Sequence, residues 1–266
     1  MSELIKVLFI GDAVGKPGRE TLKELWPKLK KRYAWDFVLL NGENAAGGVG
    51  ITGRIYQELM DIGCDGLTAG NHVWDKKEFI QEIENCPKLA RPANYPPGVP
   101  GRDHIIIEKQ GVKIAVLNFN GRVFMPCIDC PFQSAEKKVK ELAAKTPIVI
   151  VDFHAEATSE KAAFGWYLDG KVSAVLGTHT HVQTADEKIL PFGTAFISDV
   201  GMVGARDSVI GVQSGPIVNR FLLQLPQKFE PEAKGPMLFN AVLLTIDKNS
   251  GKSVKIERIN EVVEAS

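Results

Sequence analysis

Short apolar runs recur along this 266-residue chain, and residues with metal-ligating side chains follow directly on five of them. Leu4–Ile10 leads into Gly11-Asp12, Phe37–Leu40 into Asn41-Gly42-Glu43-Asn44, and Gly66–Ala69 into Gly70-Asn71-His72. Ile148–Val151 leads into Asp152-Phe153-His154, and Ala174–Leu176 into Gly177-Thr178-His179-Thr180-His181. Between the first runs, apolar residues fall at helical spacing: Leu22, Leu25, Trp26 and Leu29, then Ile55, Leu59 and Ile62 before Gly63 as a helix stop. A βαβαβ beginning of this kind predicts a mainly parallel sheet. The C-terminal ends of parallel strands lie along one edge, where such folds bind ligands, so side chains far apart in sequence converge there.

The remaining pattern keeps the chain in the α/β class and turns it more β-rich late. Lys76–Glu84 reads as helix, and Pro87–Gly101, with five prolines, as loop. Ile105–Glu108 and Val112–Asn118 read as a hairpin around Gly111. Further helices are expected at Ala135–Leu142, near Glu160–Leu168, and at Val218–Leu225, with a strand at Ala195–Ile197. Two antiparallel strands, Leu238–Ile246 and Val254–Ile259, are joined by a turn at Asp247–Gly251. No repeat, low-complexity segment or linker divides the chain, so residues 1–266 are expected to form a single domain.

Lys plus Arg and Asp plus Glu both number 32, a formal net charge of zero. That argues against a surface built to coat a nucleic-acid polymer or an anionic membrane. It leaves room for a small phosphorylated ligand, because bound metal ions can supply the positive charge locally. The first apolar run follows no basic segment and leads to no cleavage site, and no stretch reaches the ~18–20 apolar residues of a membrane span. Four cysteines make no disulfide scaffold, and a reduced, cytoplasmic setting is the expectation. Nothing in the sequence fixes an oligomeric state, and homo-oligomerisation stays open.

Of five histidines, His72, His154, His179 and His181 belong to the strand-end set, and His104 alone stands apart. Imidazole with carboxylate and amide oxygen favours Fe, Mn or Zn over the all-oxygen cages of Mg or Ca. Asp12, Glu43, Asn44, Asn71, His154, His179 and His181 are enough ligands for two ions. A carboxylate bridging ions ~3.5–4 Å apart suits water activation and stabilisation of a phosphoryl transition state. His72, one residue beyond Asn71, can then face substrate as a proton donor.

Taken in order, these five motifs resemble those of the calcineurin-like metallophosphoesterase superfamily, and their wording is closest to its bacterial 2′,3′-cyclic-nucleotide phosphodiesterase branch. The resemblance extends to at least Gly211, through Ile197–Met202 and Asp207–Gly211. It implies a four-layer αββα sandwich. It also implies a first metal on Asp12, Glu43, Asn44 and His181, and a second on Glu43, Asn71, His154 and His179, with Glu43 bridging and His72 as the catalytic acid. The metals implied are Fe or Mn. A hydroxide between them would attack the phosphorus of a 2′,3′-cyclic nucleotide in line; base preference and the ester that opens are left undetermined. The wider superfamily has Asp-x-His after the first strand, where this chain has Asp12-Ala13-Val14, and a bridging aspartate where this chain has Glu43. Asn44 then stands in for the lost histidine.

Three other signals compete. Gly48-x-Gly50-x-x-Gly53 is a literal dinucleotide fingerprint, but Asn41–Gly47 separates it from its strand, and a loop beside the site is the better reading. Cys127-x-x-Cys130 lacks a second ligand pair and is bracketed by Pro126 and Pro131, which suggests loop. Arg206, beside Asp207, is a candidate phosphate ligand or a solvated ion pair. The alternative to an enzyme is a regulatory protein that keeps the metals and acts through partners; a proton donor at His72 favours the enzyme. A His-x-His pair this late in the motif series also argues against a TIM-barrel amidohydrolase.

Overall fold

The computed structural model describes residues 3–264. In chain order, β1 (Leu4–Ile10) and β2 (Asp12–Ala13) precede α1 (Gly15–Arg32). Then come β3 (Phe37–Asn41), α2 (Gly53–Ile62), β4 (Gly66–Thr68), α3 (Phe79–Glu82) and β5 (Leu89–Ala90). A hairpin of β6 (His104–Lys109) and β7 (Val112–Asn120) is followed by α4 (Pro131–Ala143), β8 (Val149–His154), α5 (Thr158–Leu168) and β9 (Ala174–Thr178). The chain continues through β10 (Lys188–Ile189), β11 (Ala195–Ile197), β12 (Met202–Ala205) and α6 (Ser214–Leu223) to the long hairpin β13 (Met237–Asp247) and β14 (Ser253–Val263).

Two sheets result. One runs β2-β12-β13-β1-β3-β4-β5 with β14 also on β13, and the other runs β10-β11-β9-β8-β7-β6. Period-two alternation in β1 explains how they stack. Val7 and Phe9 join Leu39, Val116, Ile150, Leu176 and Val242 in a core between the sheets. Leu8 and Ile10 point the other way and pack with Leu22, Leu29, Ile55 and Leu59 of α1 and α2. On the outer face of the second sheet, Leu117, Val151 and Phe153 pack with Val139, Leu142, Phe164 and Leu168 of α4 and α5. The layers are therefore helix, sheet, sheet, helix, the αββα sandwich that the motifs imply.

Parallel pairing of β1 with β3, β3 with β4, β7 with β8 and β8 with β9 sends the strand ends to one edge. At that edge β1 sidesteps. The Gly11 amide still bonds Asn240 O of β13, while Asp12 N bonds Gly201 O at 3.0 Å. A Cβ at Gly11 would overlap the Gly201 carbonyl oxygen, so only glycine permits this close pass.

The helix expected over Lys76–Glu84 is shorter. One turn, Phe79–Glu82, runs into a 3-10 turn at Ile83–Asn85. Only Phe79 and Ile83 are buried within it, too narrow a stripe for a longer helix, and Pro87 disfavours helical backbone at Cys86. β2, β5, β10 and β12, of two to four residues each, were not anticipated. Among the described residues no helix is long and apolar enough to cross a membrane.

Candidate metal centre

The seven candidate ligands lie at the sheet edge, and the elements carrying them are pinned to one another. Asn41, the last residue of β3, receives the Glu43 amide on Oδ1. Its Nδ2 donates to Ala69 O and to Asp152 Oδ2, both at 2.8 Å, which ties β3 to the chain after β4 and to β8. Arg19 of α1 reaches Ala45 O and fixes the loop beyond Glu43. Gly70 leaves room for the bridging candidate, since a Cβ there would overlap Glu43 Oε2.

Hydrogen-bond donors are short in the cluster. The Thr178 hydroxyl donates to Asp152 Oδ1 at 2.6 Å, so it can only accept from His154 Nδ1 at 2.8 Å. The neutral His154 ring then presents a lone pair at Nε2. That atom faces Glu43 Oε1 at 2.8 Å, Asn71 Oδ1 at 3.1 Å and His179 Nδ1 at 3.0 Å. His179 has its own Nε2 against Glu156 Oε2 at 3.1 Å, so its Nδ1 is an acceptor as well. Four acceptor atoms thus meet with no donor among them, and only a proton or a cation reconciles them. Glu43, His154 and His179 can hold a metal ion by the spacing of their ligand atoms alone.

A similar mismatch lies between His181 and Asn44. His181 Nδ1 donates to Ile210 O at 2.8 Å, and Asn44 Nδ2 donates to Gly48 O at 2.9 Å. The atoms left over, His181 Nε2 and Asn44 Oδ1, are both acceptors and face each other at 3.3 Å. Asp12 is fully buried, and its Oδ1 has no hydrogen-bond partner among the described residues. Its Oδ2 receives the His179 amide at 3.2 Å. The orphaned Asp12 oxygen, 3.9 Å from His154 Nδ1, and the acceptor pair of His181 and Asn44 are each short of a positive partner, which a second cation would supply.

Electrostatics follow from burial and from this crowding. Burial pushes the Asp12 carboxyl well above the usual range, opposed by His154. Burial also acts to raise Glu43, but His154 and the His72 amide overcome it and hold the carboxyl at about 2. For His154, burial disfavours charge, yet Glu43 and Asp12 outweigh it and lift the ring to about 9. His179 goes the other way, down to about 3, through burial and the neighbouring His154. Burial lowers His181 too. A proton on His154 Nε2 is what the four acceptors share when no cation serves them.

His179 and His181 have positive φ, 100° and 65°, rare for histidine. Asp199 holds the turn between them. It accepts the Thr180 amide at 3.0 Å and is itself paired at 2.7 Å with Lys161, buried in α5. His72 sits beside the cluster. Its amide donates to Glu43 Oε2 at 3.0 Å, its Nδ1 lies 2.7 Å from Asp75 Oδ2, and its Nε2 has no hydrogen bond among the described residues. A cavity of ≈ 650 Å³ opens over Glu43, Asn44, His72, His179 and His181 and extends along the apolar residues Ile210, Val212, Ile217 and Phe229.

A family model described as "YmdB-like protein" matches residues 8–259, nearly the whole chain. The chain belongs to the YmdB-like protein family. A Bacillus subtilis protein named 2′,3′-cyclic-nucleotide 2′-phosphodiesterase is 51% identical to this YmdB-like chain over 255 residues, covering 96% of each. Two solved structures share the fold over nearly their full lengths. A Mycoplasma pneumoniae protein described as a novel phosphatase is 35% identical, with TM-score 0.92, over 99% of this chain and 95% of that one. A hypothetical protein from Thermus thermophilus is 40% identical, with TM-score 0.90, over 97% and 100%. The metallophosphoesterase resemblance carried by the five motifs holds.

Not every residue singled out from the sequence of this YmdB-like chain lies at the cluster. Arg206 is exposed, held by Asp207 at 2.8 and 3.1 Å, and does not line the cavity. Cys127 is exposed, and Cys130 stands at the N-cap of α4 as a free thiol. In the glycine-rich segment, Gly48 lines the cavity, whereas Gly53 opens α2 behind the Thr52 cap. Asp152, Thr178, Glu156, Asp199 and Lys161 were missed. Asp152 had a usable signal: two residues before His154 in one strand, it must share that residue's face.

Proposed function

We propose that this chain hydrolyses 2′,3′-cyclic nucleotides at the 2′ ester, using two transition-metal ions, Fe or Mn. The first ion is assigned to Asp12, Glu43, Asn44 and His181, and the second to Glu43, Asn71, His154 and His179, with Glu43 shared. The observation that carries this reading is the meeting of lone pairs around His154 Nε2 and between His181 and Asn44. Its substrate class comes from the name of the 51%-identical B. subtilis relative, which also specifies the 2′ ester that the sequence left open. Enzymatic phosphoric diester hydrolysis is the activity that relative names.

When bound, such ions lower the pKa of a water and neutralise phosphoryl oxygens. The chain's own residues do the rest. The Asp152–Thr178 pair holds His154 in the tautomer that offers Nε2, and Glu156 does the same for His179 Nδ1. Water adds to phosphorus, the bond from phosphorus to the 2′ oxygen breaks, and a nucleoside 3′-monophosphate results. The departing 2′ oxygen needs a proton. His72 is assigned to give it from Nε2 of the doubly protonated ring, whose Nδ1–H is held by Asp75, and the proton that water loses on attack balances the one given. Arg206, held by Asp207 and outside the cavity lining, is assigned no step in the reaction.

Hydrolysis of 2′,3′-cyclic AMP, 3′,5′-cyclic AMP and an aryl phosphodiester, with and without chelator, tests the reading. Chelator-sensitive turnover of the first substrate is expected. Activity that is absent on all three, or indifferent to chelator, overturns it.

A further inference from the structure

The cavity has two unlike sets of lining residues. Charged and polar side chains belong to the ligand cluster. Ile210, Val212, Ile217, Phe229 and Pro231, none of which carries a side-chain hydrogen-bonding group, form an apolar wall. This wall is built, not incidental. The Val212 and Pro231 backbones pair as a bridge, Glu232 N bonds Gly211 O at 2.9 Å, and Gln213 N bonds Glu230 O at 3.0 Å. Ile210 is joined to the ligand cluster directly, since its carbonyl holds His181 Nδ1. The spacing between wall and cluster is thereby fixed.

Phe229 is the wall's one aromatic ring and is 36% exposed, so it is not a core residue. The Arg220 guanidinium lies 5.0 Å from its centroid and braces it from α6. Ile210 is also open to solvent, at 47%. Apolar surface left exposed inside a concave site is ligand surface by default, and the cavity is within the ~300–1,000 Å³ range of small-molecule sites.

We propose that this apolar wall lines the nucleobase slot, with the Phe229 face away from Arg220 as its stacking face, and that the slot accepts all four bases because none of the wall residues carries a side-chain group to read a base edge. The inference rests on the cyclic-nucleotide reading and adds to it the residues that set substrate scope. Stacking on an aromatic face is tolerant of base identity, since every base has a π-face. A site with hydrogen-bonding readers would reject wrong bases by ~10⁴-fold or more, whereas an apolar pocket discriminates far less.

The test compares 2′,3′-cyclic AMP with methyl β-ribofuranoside 2′,3′-cyclic phosphate, which keeps the reacting ester and lacks the base. In the metal-loaded wild type, kcat/KM is expected to favour the nucleotide by about tenfold or more, the size of one stacking contact. Phe229→Ala should collapse that ratio toward one through KM, and Phe229→Trp should preserve it. The 2′,3′-cyclic phosphates of adenosine, guanosine, cytidine and uridine should differ by no more than about tenfold, purines ahead. Equal use of the base-free ester by the wild type overturns the slot, as does an unchanged ratio in Phe229→Ala. A preference beyond about 100-fold for one base overturns the absence of base readers. Should Phe229→Ala fail to fold, the wild-type ratio decides alone. Failure of the wild type on both esters overturns the phosphodiesterase reading itself, a different outcome from equal use of both.

Discussion

The two halves of the ligand cluster are built differently. Around His154, each imidazole has its far nitrogen committed, to the Thr178–Asp152 relay in one case and to Glu156 in the other. The Asp152 carboxylate is itself bound by Asn41 and Thr68, and burial still lifts it to about 6. Around Asp12 the support is thinner. One imidazole is oriented by a backbone carbonyl, the candidate ligand Asn44 offers an amide oxygen, and one Asp12 oxygen has no hydrogen-bond partner among the described residues. Outer hydrogen bonds orient ligands and raise their basicity. The half around His154 should therefore hold its ion more tightly, and the half around Asp12 should exchange more readily.

The largest effect is expected of Glu43→Gln, which removes the residue assigned to both halves. Both ions and activity should be lost together, on the order of 10⁴-fold or more in kcat; metal analysis showing one ion retained would mean that Glu43 does not bridge. His72→Ala belongs to neither half. A fall of about 10²–10³-fold in kcat with both ions still bound is expected, and full activity would remove His72 from the chemistry. Thr178→Val cuts the relay to His154. Titration should show one ion bound about 10–100-fold more weakly and the other unchanged.

Protons also distinguish the two halves. His154 is raised to about 9, so below that pH a cation must displace a proton from Nε2. Affinity in the His154 half should climb by up to about tenfold per pH unit and level off above about pH 9, as calorimetry across buffers can show. The sign for stability is opposite. In chelated protein the contribution of a raised histidine is full below about pH 6.5 and is lost as pH rises through about 9. A melting temperature that rises over that window would contradict the assignment. Smallest of all, Asn44→Ala should weaken only the Asp12 half, by roughly tenfold or less.

Much of this is legible in the sequence alone. β1 and β11 have the bounds that their apolar runs suggest, and the parallel arrangement follows from strands alternating with helical periods. Ligand-type residues at strand ends can be recognised because topology, not local sequence, brings them together. The supporting residues are harder. Thr178 and Asp199 act through hydroxyl and carboxylate bonds across strands, and such bonds leave no periodicity. The apolar wall is invisible for another reason: Ile210 and Phe229 lie in connections on either side of α6, and only the pairing of Val212 with Pro231 brings those connections face to face. Short strands such as β2 and β12 escape because two to four residues are too few to show an alternation.

The pairing of β1 with β13 has a consequence for how the molecule is made. Leu4 stands opposite Asp247, and Gly11 bonds the backbone of Asn240. Asp12 leans on Gly201. On a ribosome adding about 5–20 residues per second, the first strand therefore waits on the order of ten seconds or more for its antiparallel neighbour. Until then its open edge is a hazard for mispairing, and Asp12 has no fixed place. An ion held by Asp12, as proposed, would find its site complete only after Gly201 and Asn240 have been made and paired, late in the folding of this domain.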